Sequence, residues 1–108
     1  MNEHATIDVL RFEGELDIGR RAELHDALTI SENARAVLLD LSTVTYADST
    51  ALGELLHLKA RAEERGVPMA LVVAAPQFER LIRYAGLYEL FRIFDDIGPA
   101  LSYLDGAS

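Results

Sequence analysis

Cysteine is absent from this chain. That removes disulfide frameworks, thiolate metal sites and cysteine nucleophiles at once. Basic residues are few, and the formal net charge is −8. A nucleic-acid surface needs clustered Lys and Arg to neutralise phosphates, and an anionic membrane surface needs the same. No apolar run approaches the roughly 18 residues of a membrane span. The amino terminus, Met1-Asn2-Glu3-His4, has neither the basic flank nor the apolar core of a secretion signal. The expectation is a cytoplasmic protein that meets neither nucleic acid nor membrane. Linkers, repeats and low-complexity stretches are also missing. No glycine-rich phosphate loop and no metal-ligand spacing appears, so no cofactor and no metal is expected.

What is present suits one compact domain. The 108 residues are half hydrophobic and 26 % charged. A chain of this size buries roughly two-thirds of its unfolded surface. Among its ten basic residues Lys59 is the only lysine. That bias, with the many alanines, fits a GC-rich bacterial genome.

The order of elements reads strand, helix, four times over. A half-solvated strand is expected from Ala5 to Glu13, broken by Gly14-Glu15-Leu16-Asp17. Asp17 is placed to cap a helix running to about Ile30, with Ala22, Leu24, Ala27, Leu28 and Ile30 apolar. Ala36 to Leu41 is a continuous apolar run, expected as a strand covered on both faces. Ser42 to Ala47 reads as a loop. A helix from about Ser49 to Arg65 carries Leu52, Leu55, Leu56 and Lys59 or Ala62 on one face. Lys59, Arg61, Glu63, Glu64 and Arg65 make its wet side. Gly66 and Pro68 stop it. Met69 to Ala75 is the next strand. Pro76 opens a helix burying Phe78, Leu81, Ile82 and Ala85. Leu90 to Phe94 is a short strand, and Asp95 or Asp96 caps a helix from Ile97 to about Leu104. Such alternation implies a mostly parallel sheet with right-handed crossovers. Functional groups then gather beyond the carboxyl ends of the strands.

The segment at such an end is Asp48-Ser49-Thr50. A helix start has backbone N–H groups without intrahelical partners and a partial positive charge. A serine there is placed to carry a phosphate. The same residues also serve as ordinary helix caps, and the two roles use the same donors. Tyr46 and Val44 precede the hydroxyls and either line a protein-binding face or fold inward.

Two catalytic readings fail on missing parts. Val37 to Leu41 looks like the acceptor strand of a receiver domain, but that needs an acidic pair after the first strand and a lysine after the last. The one lysine here is mid-helix. A hydrolase built on Ser49 lacks the G-x-S-x-G elbow. Of the histidines, His4, His25 and His57, none is placed as its base. The chain is therefore expected not to be an enzyme, with no catalytic residue.

Four segments together carry a family likeness. They are Gly14-Glu15-Leu16-Asp17, Val37 to Leu41, Asp48-Ser49-Thr50-Ala51-Leu52-Gly53, and Pro76 through Arg80-Leu81 to Gly86-Leu87. The chain resembles the STAS domain (sulfate transporter and anti-sigma factor antagonist) from about Ala5 to Leu104, and within it the free-standing bacterial anti-sigma factor antagonists. The resemblance implies an α/β fold: a STAS-like single domain over residues 1–108, core about 5–104. It implies a four- to five-stranded, mostly parallel sheet with an antiparallel edge and about four helices. It further implies a partner, an anti-sigma factor with serine kinase activity. That kinase phosphorylates Ser49 (Thr50 is the lesser candidate), after which the antagonist lets go; a phosphatase resets it. Asp17, Asp48, Ser49, Thr50 and Tyr46 are the expected partner contacts, and a monomer or weak dimer the expected state. The alternative within the family is an unmodified scaffold subunit of a transport or signalling assembly. Ala51 departs from the family glycine, and its methyl is expected where the partner backbone approaches.

Overall fold

The computed structural model describes residues 6–106. His4 and the expected strand start at Ala5 lie outside them. Four strands form one sheet in the order β1-β2-β3-β4. They are β1 (Thr6–Leu16), β2 (Ala34–Ala47), β3 (Met69–Val73) and β4 (Arg92–Phe94). Four helices accompany them: α1 (Arg21–Ala27), α2 (Ser49–Glu64), α3 (Pro76–Tyr84) and α4 (Ile97–Gly106). All three pairings are parallel. An antiparallel edge is not found among the described residues. No helix among them is long and apolar enough to cross a membrane.

Strand order equal to chain order has a geometric consequence. Right-handed crossovers that always step the same way leave α1, α2 and α3 on one face. The buried side chains divide accordingly. Val37, Leu39, Leu41, Leu71 and Val73 pack with Leu24, Leu28, Leu55, Leu58, Phe78 and Ile82. The alternate positions, Ala36, Leu38, Ala70 and Val72, pack with Ala100 and Leu104 of α4, with Ile7, Phe94, Leu101 and Tyr103 at the margin. Period-two alternation in β2 and β3 thus feeds two cores of unequal size.

The helices begin and end as expected at most points. Gly66 and Gly86 take φ of +65° and +73°. Each closes a Schellman motif, with Val67 N–H donating to Ala62 O at 2.9 Å and Leu87 N–H to Ile82 O at 3.1 Å. On α2 the buried apolar residues are Ala51, Leu52, Leu55, Leu58 and Ala62; Leu56 and Lys59 are half-buried. On α3, Phe78 and Ile82 are buried and Ala85 is exposed. Asp96 Oδ1 accepts from Ile97 N–H at 2.9 Å at the start of α4.

β3 ends at Val73 rather than Ala75 and β2 starts at Ala34 rather than Ala36; three larger differences have a physical reason. First, α1 stops at Ala27 instead of about Ile30, and its Ala22 and Ala27 are exposed. Arg61 donates to Leu28 O at 2.6 Å, and Arg65 donates to the carbonyls of Ile30, Ser31 and Glu32. Guanidinium donors from α2 hold these carbonyls in a loop. Arg61 and Arg65 are thus clamps rather than a solvated face. Second, β4 starts at Arg92, because Tyr88–Leu90 winds into a 3-10 turn. Third, β1 and β2 run on. Glu13 pairs with Thr43, Gly14 with Val44, Glu15 with Tyr46 and Leu16 with Ala47. The expected break at Gly14 is a register irregularity inside β1, with Gly14 at φ +78°. The expected loop Ser42–Ala47 is strand.

β3 pairs with β2 only over Val37–Leu41, so the last six residues of β2 extend past it beside β1. A side chain takes the missing strand's place. Gln77 Oε1 accepts from Ala47 N–H at 3.0 Å, and Gln77 Nε2 donates to Ala47 O at 2.8 Å. This carboxamide imitates a peptide group at the end of the ladder, where an unmet buried donor or acceptor is costly.

Candidate functional site

The ends of β1 and β2 deliver two turns side by side. Asp48 N–H donates to Leu16 O at 3.1 Å, which locks one turn to the other. Asp17 follows β1. Its Oδ1 accepts from Gly19 N–H at 2.9 Å and caps a 3-10 turn, Ile18–Arg20, rather than α1 itself.

Asp48 is the N-cap of α2. Its Oδ1 accepts from Thr50 N–H at 2.9 Å and Ala51 N–H at 3.3 Å. Its Oδ2 accepts from Ile18 N–H at 3.1 Å. One carboxylate thus caps the helix and staples the β1 turn to it. Ser49 is the first residue of α2 and is exposed; Thr50 is half-buried. Asp48 has taken the Thr50 and Ala51 donors. Of that turn, the Ser49 amide is the donor Asp48 leaves unmet.

Apolar surface adjoins these polar groups. Ile18 is 71 % exposed and Tyr46 42 % exposed. Val44, expected beside Tyr46, is buried instead. A shallow cleft lined by Ile18, Gly19, Arg21, Ala22, His25 and Asp26 lies along the same turn. Gly53 sits four residues after Ser49, on the same helix face. A Cβ built on Gly53 would meet nothing within 4 Å. The fold therefore does not require glycine there.

Arg20 holds the turn from below. Its Nη1 donates to the carbonyls of Glu13 at 2.8 Å and Glu15 at 3.0 Å. Its Nε and Nη2 form a fork on the Glu23 carboxylate at 3.1 and 2.8 Å. The hydrogen bonds from Arg20 hold the Glu23 carboxyl below the usual glutamate range, and the same bonds raise Arg20. Behind the turn, His25 Nδ1 lies 3.1 Å and His57 Nδ1 3.8 Å from the oxygens of Glu54, a buried carboxylate on α2. The pair ties α1 to α2. Among the described residues no cluster of three or more His, Cys, Asp or Glu is arranged to hold a metal.

Residues 1–100 match the family described as the STAS domain. The chain belongs to the STAS domain family. An anti-sigma F factor antagonist of Paenibacillus polymyxa is 27 % identical over 112 residues, covering 100 % of this STAS domain and 95 % of the relative. The crystal structure of an anti-sigma factor antagonist from Mycobacterium paratuberculosis aligns with a TM-score of 0.85 at 23 % identity, over 96 % of this chain and 90 % of that one. A sulfate transporter family protein from Wolinella succinogenes aligns with a TM-score of 0.75 at 23 % identity, over 92 % and 84 %. Structural likeness at this identity shows a shared fold.

In this STAS domain Asp17, Asp48, Ser49 and Thr50 come together at the ends of two neighbouring strands, with Tyr46 two positions back along β2. Ala51 is 2 % exposed and belongs to the core, so its methyl points inward and not toward a partner. Three contributors escaped the sequence reading. Ile18 was hidden in a turn that read as the start of a helix. Gln77 and Glu54 act on positions about 30 residues away, which no local pattern signals. Gln77 does carry one clue, a polar residue in the first turn of a helix with an otherwise apolar inner face.

Asp48→Ala should destabilise the domain by about 1 to 2 kcal/mol through the lost cap, read as a lower urea midpoint. Asp48→Asn keeps one acceptor oxygen. Its Ile18 amide should exchange hydrogen faster while Thr50 and Ala51 stay protected. Equal protection at all three would contradict the shared-carboxylate geometry. A second expectation concerns pH. The lowered Glu23 pKa makes its contribution complete above the unfolded glutamate value and lost as pH falls through the folded one. Urea midpoints of the wild type should therefore drop more steeply below the usual glutamate range than those of Glu23→Gln.

Proposed function

We propose that this STAS domain is an anti-sigma factor antagonist. It binds an anti-sigma factor with serine kinase activity and so frees a sigma factor for transcription. Phosphorylation of Ser49 ends the interaction, and a phosphatase restores it. The observation that carries this reading is exposed Ser49 as the first residue of α2, beside a capping carboxylate that also holds the amide of exposed Ile18.

The physics of the switch follows from Asp48. A phosphate on Ser49 brings about −1.5 to −2 charges. It arrives where Asp48 already fills the helix terminus and has left one amide of the turn. The two anions compete for the same donors, and the surplus charge would have to be desolvated at a partner interface. That costs several kcal/mol without a matching cation. Asp48 is also the acceptor for Ile18 N–H, so the competition is felt at the exposed apolar residue of the same turn.

Gly53 supports a partner on this face. Glycine inside a helix costs about 1 kcal/mol relative to alanine, and nothing in the fold demands it. An external backbone lying against α2 one turn beyond Ser49 would demand it.

The second reading is an unmodified scaffold subunit, favoured by the likeness to a sulfate transporter family protein. Ser49 is then only the first residue of a helix.

The two are separated by capturing the cognate partner from the native cell and adding ATP. One phosphate should appear on the wild type and none on Ser49→Ala. Phosphate uptake by Ser49→Ala would defeat the assignment of the site, and no uptake by the wild type would favour the scaffold. Gly53→Ala makes an independent expectation. It should stabilise the free domain by about 0.5 to 1 kcal/mol and weaken partner binding. Unchanged affinity, by calorimetry, would remove α2 from the interface.

A further inference from the structure

The opposite end of the sheet carries a second feature that the interaction site does not use. A cleft of about 230 Å³ opens there, lined by Lys59 and Glu63 of α2, Met69 of β3, Phe91 and Arg92 at the start of β4, and Tyr103 of α4. Its origin is topological. β4 pairs with β3 only from Ala70↔Arg92 onward, which leaves Met69 without a neighbour on that side. The carboxyl half of α2 and Tyr103 of α4 border the gap.

Two cations, Lys59 and Arg92, line this cleft. Arg11, Arg20, Arg35 and Arg83 each pair with a carboxylate. Arg61 and Arg65 are occupied by backbone carbonyls. Arg92, like Arg21 and Arg80, makes no ion pair with a carboxylate among the described residues; its guanidinium rests 5.5 Å from the centre of the Tyr103 ring. Lys59 Nζ stands 6.0 Å from the centre of the Phe91 ring. Its carboxylate partner is the Glu63 neighbour one turn on, 3.5 Å away and 69 % exposed. A solvated i,i+4 pair of that kind holds its lysine weakly. A chain with net charge −8 has acids to spare, yet two cations here face one opening with a single, loosely held acid.

The remaining lining is aromatic and apolar. A cavity of about 150 Å³ is enough for a benzene ring. A cleft of about 230 Å³ admits such a ring together with a carboxylate. We propose that the cleft binds a small aromatic monocarboxylate. Its ring lies among Phe91, Tyr103 and Met69, and its carboxylate meets Lys59 and Arg92. The guanidinium supplies a planar pair of donors and the ammonium a point charge. An aromatic ring lies near each, Phe91 by Lys59 and Tyr103 by Arg92. This inference stands apart from the Ser49 reading. Lys59 lies ten residues further along α2 than Ser49, roughly 15 Å at the helical rise.

The test is a titration of the full ¹⁵N-labelled chain with sodium benzoate at constant ionic strength, with benzyl alcohol and sodium acetate as comparison probes. Benzoate should shift the amides of Lys59, Met69, Phe91, Arg92 and Tyr103 saturably, with a Kd of about 1 mM or tighter. Either comparison probe should bind about tenfold more weakly, because each lacks the charge or the ring. Lys59→Gln and Arg92→Gln should each weaken benzoate about tenfold, the scale of a lost charged hydrogen bond, with the amides of Asp48 and Ser49 unmoved throughout. Should Arg92→Gln perturb the fold, Lys59→Gln decides alone. Shifts that never saturate, that benzyl alcohol reproduces, or that survive in Lys59→Gln would overturn the proposal.

Discussion

The carboxylate of Asp48 is the point on which the interaction end of this protein depends. One oxygen serves the first turn of α2 and the other serves the turn that follows β1. Two segments separated by 30 residues are held by a single side chain. Ser49 is exposed because Asp48, not Ser49, provides the cap. Ile18 is displayed on a turn whose amide already has its acceptor in Asp48. An ordinary N-cap would have done only the first of these jobs. The positive end of the α2 dipole already has its anion. Any further negative charge there meets an occupied site, and that is a more demanding electrostatic situation than an empty helix terminus.

Support for this end comes from an extended two-stranded arm. β1 and β2 outrun β3, so a third ladder is unavailable where the site is built. The chain solves the problem with side chains that act as pieces of backbone. Gln77 caps Ala47 as a neighbouring strand would, and Arg20 gathers the carbonyls of Glu13 and Glu15. At the other end of α2, Arg61 and Arg65 do the same for the loop after α1. Arginine suits this task, since its five donors spread over a rigid plane. The high arginine count, which looked like a trait of the genome, also has work in the fold. Lysine at these positions would offer one moving charge in place of a fork.

Legibility followed the range of the forces involved. α2 was readable at both ends, because its cap and its Gly66 stop are local chemistry. So were β3 and the Pro76 start of α3. The ends of β1 and β2 were not. Ser42 to Ala47 contains hydroxyls and read as a loop, yet Thr43, Val44, Thr45 and Tyr46 all favour a pleated surface. The ladder with β1 settles the matter, and that ladder is a non-local fact. The early end of α1 has the same kind of cause, since the arginines that hold its following carbonyls lie more than 30 residues away. Asp17, Asp48, Ser49 and Thr50, which the family resemblance singled out, lie on or beside the two turns, and Tyr46 lies on β2. The resemblance placed the Ala51 methyl on the wrong side of the helix, because position within a motif does not say which way a side chain faces.

Lys59 has one more consequence. It is the sole side-chain amine in the chain, and it stands in a recess between α2 and α4. Acylating and amine-directed cross-linking reagents therefore have a single internal target, half-screened by Phe91. Guanidinium groups ignore such reagents at neutral pH, so the other cationic side chains are chemically silent to them. A reporter attached through that nitrogen would sit at one known side chain, roughly 15 Å along α2 from Ser49, without any residue having to be engineered.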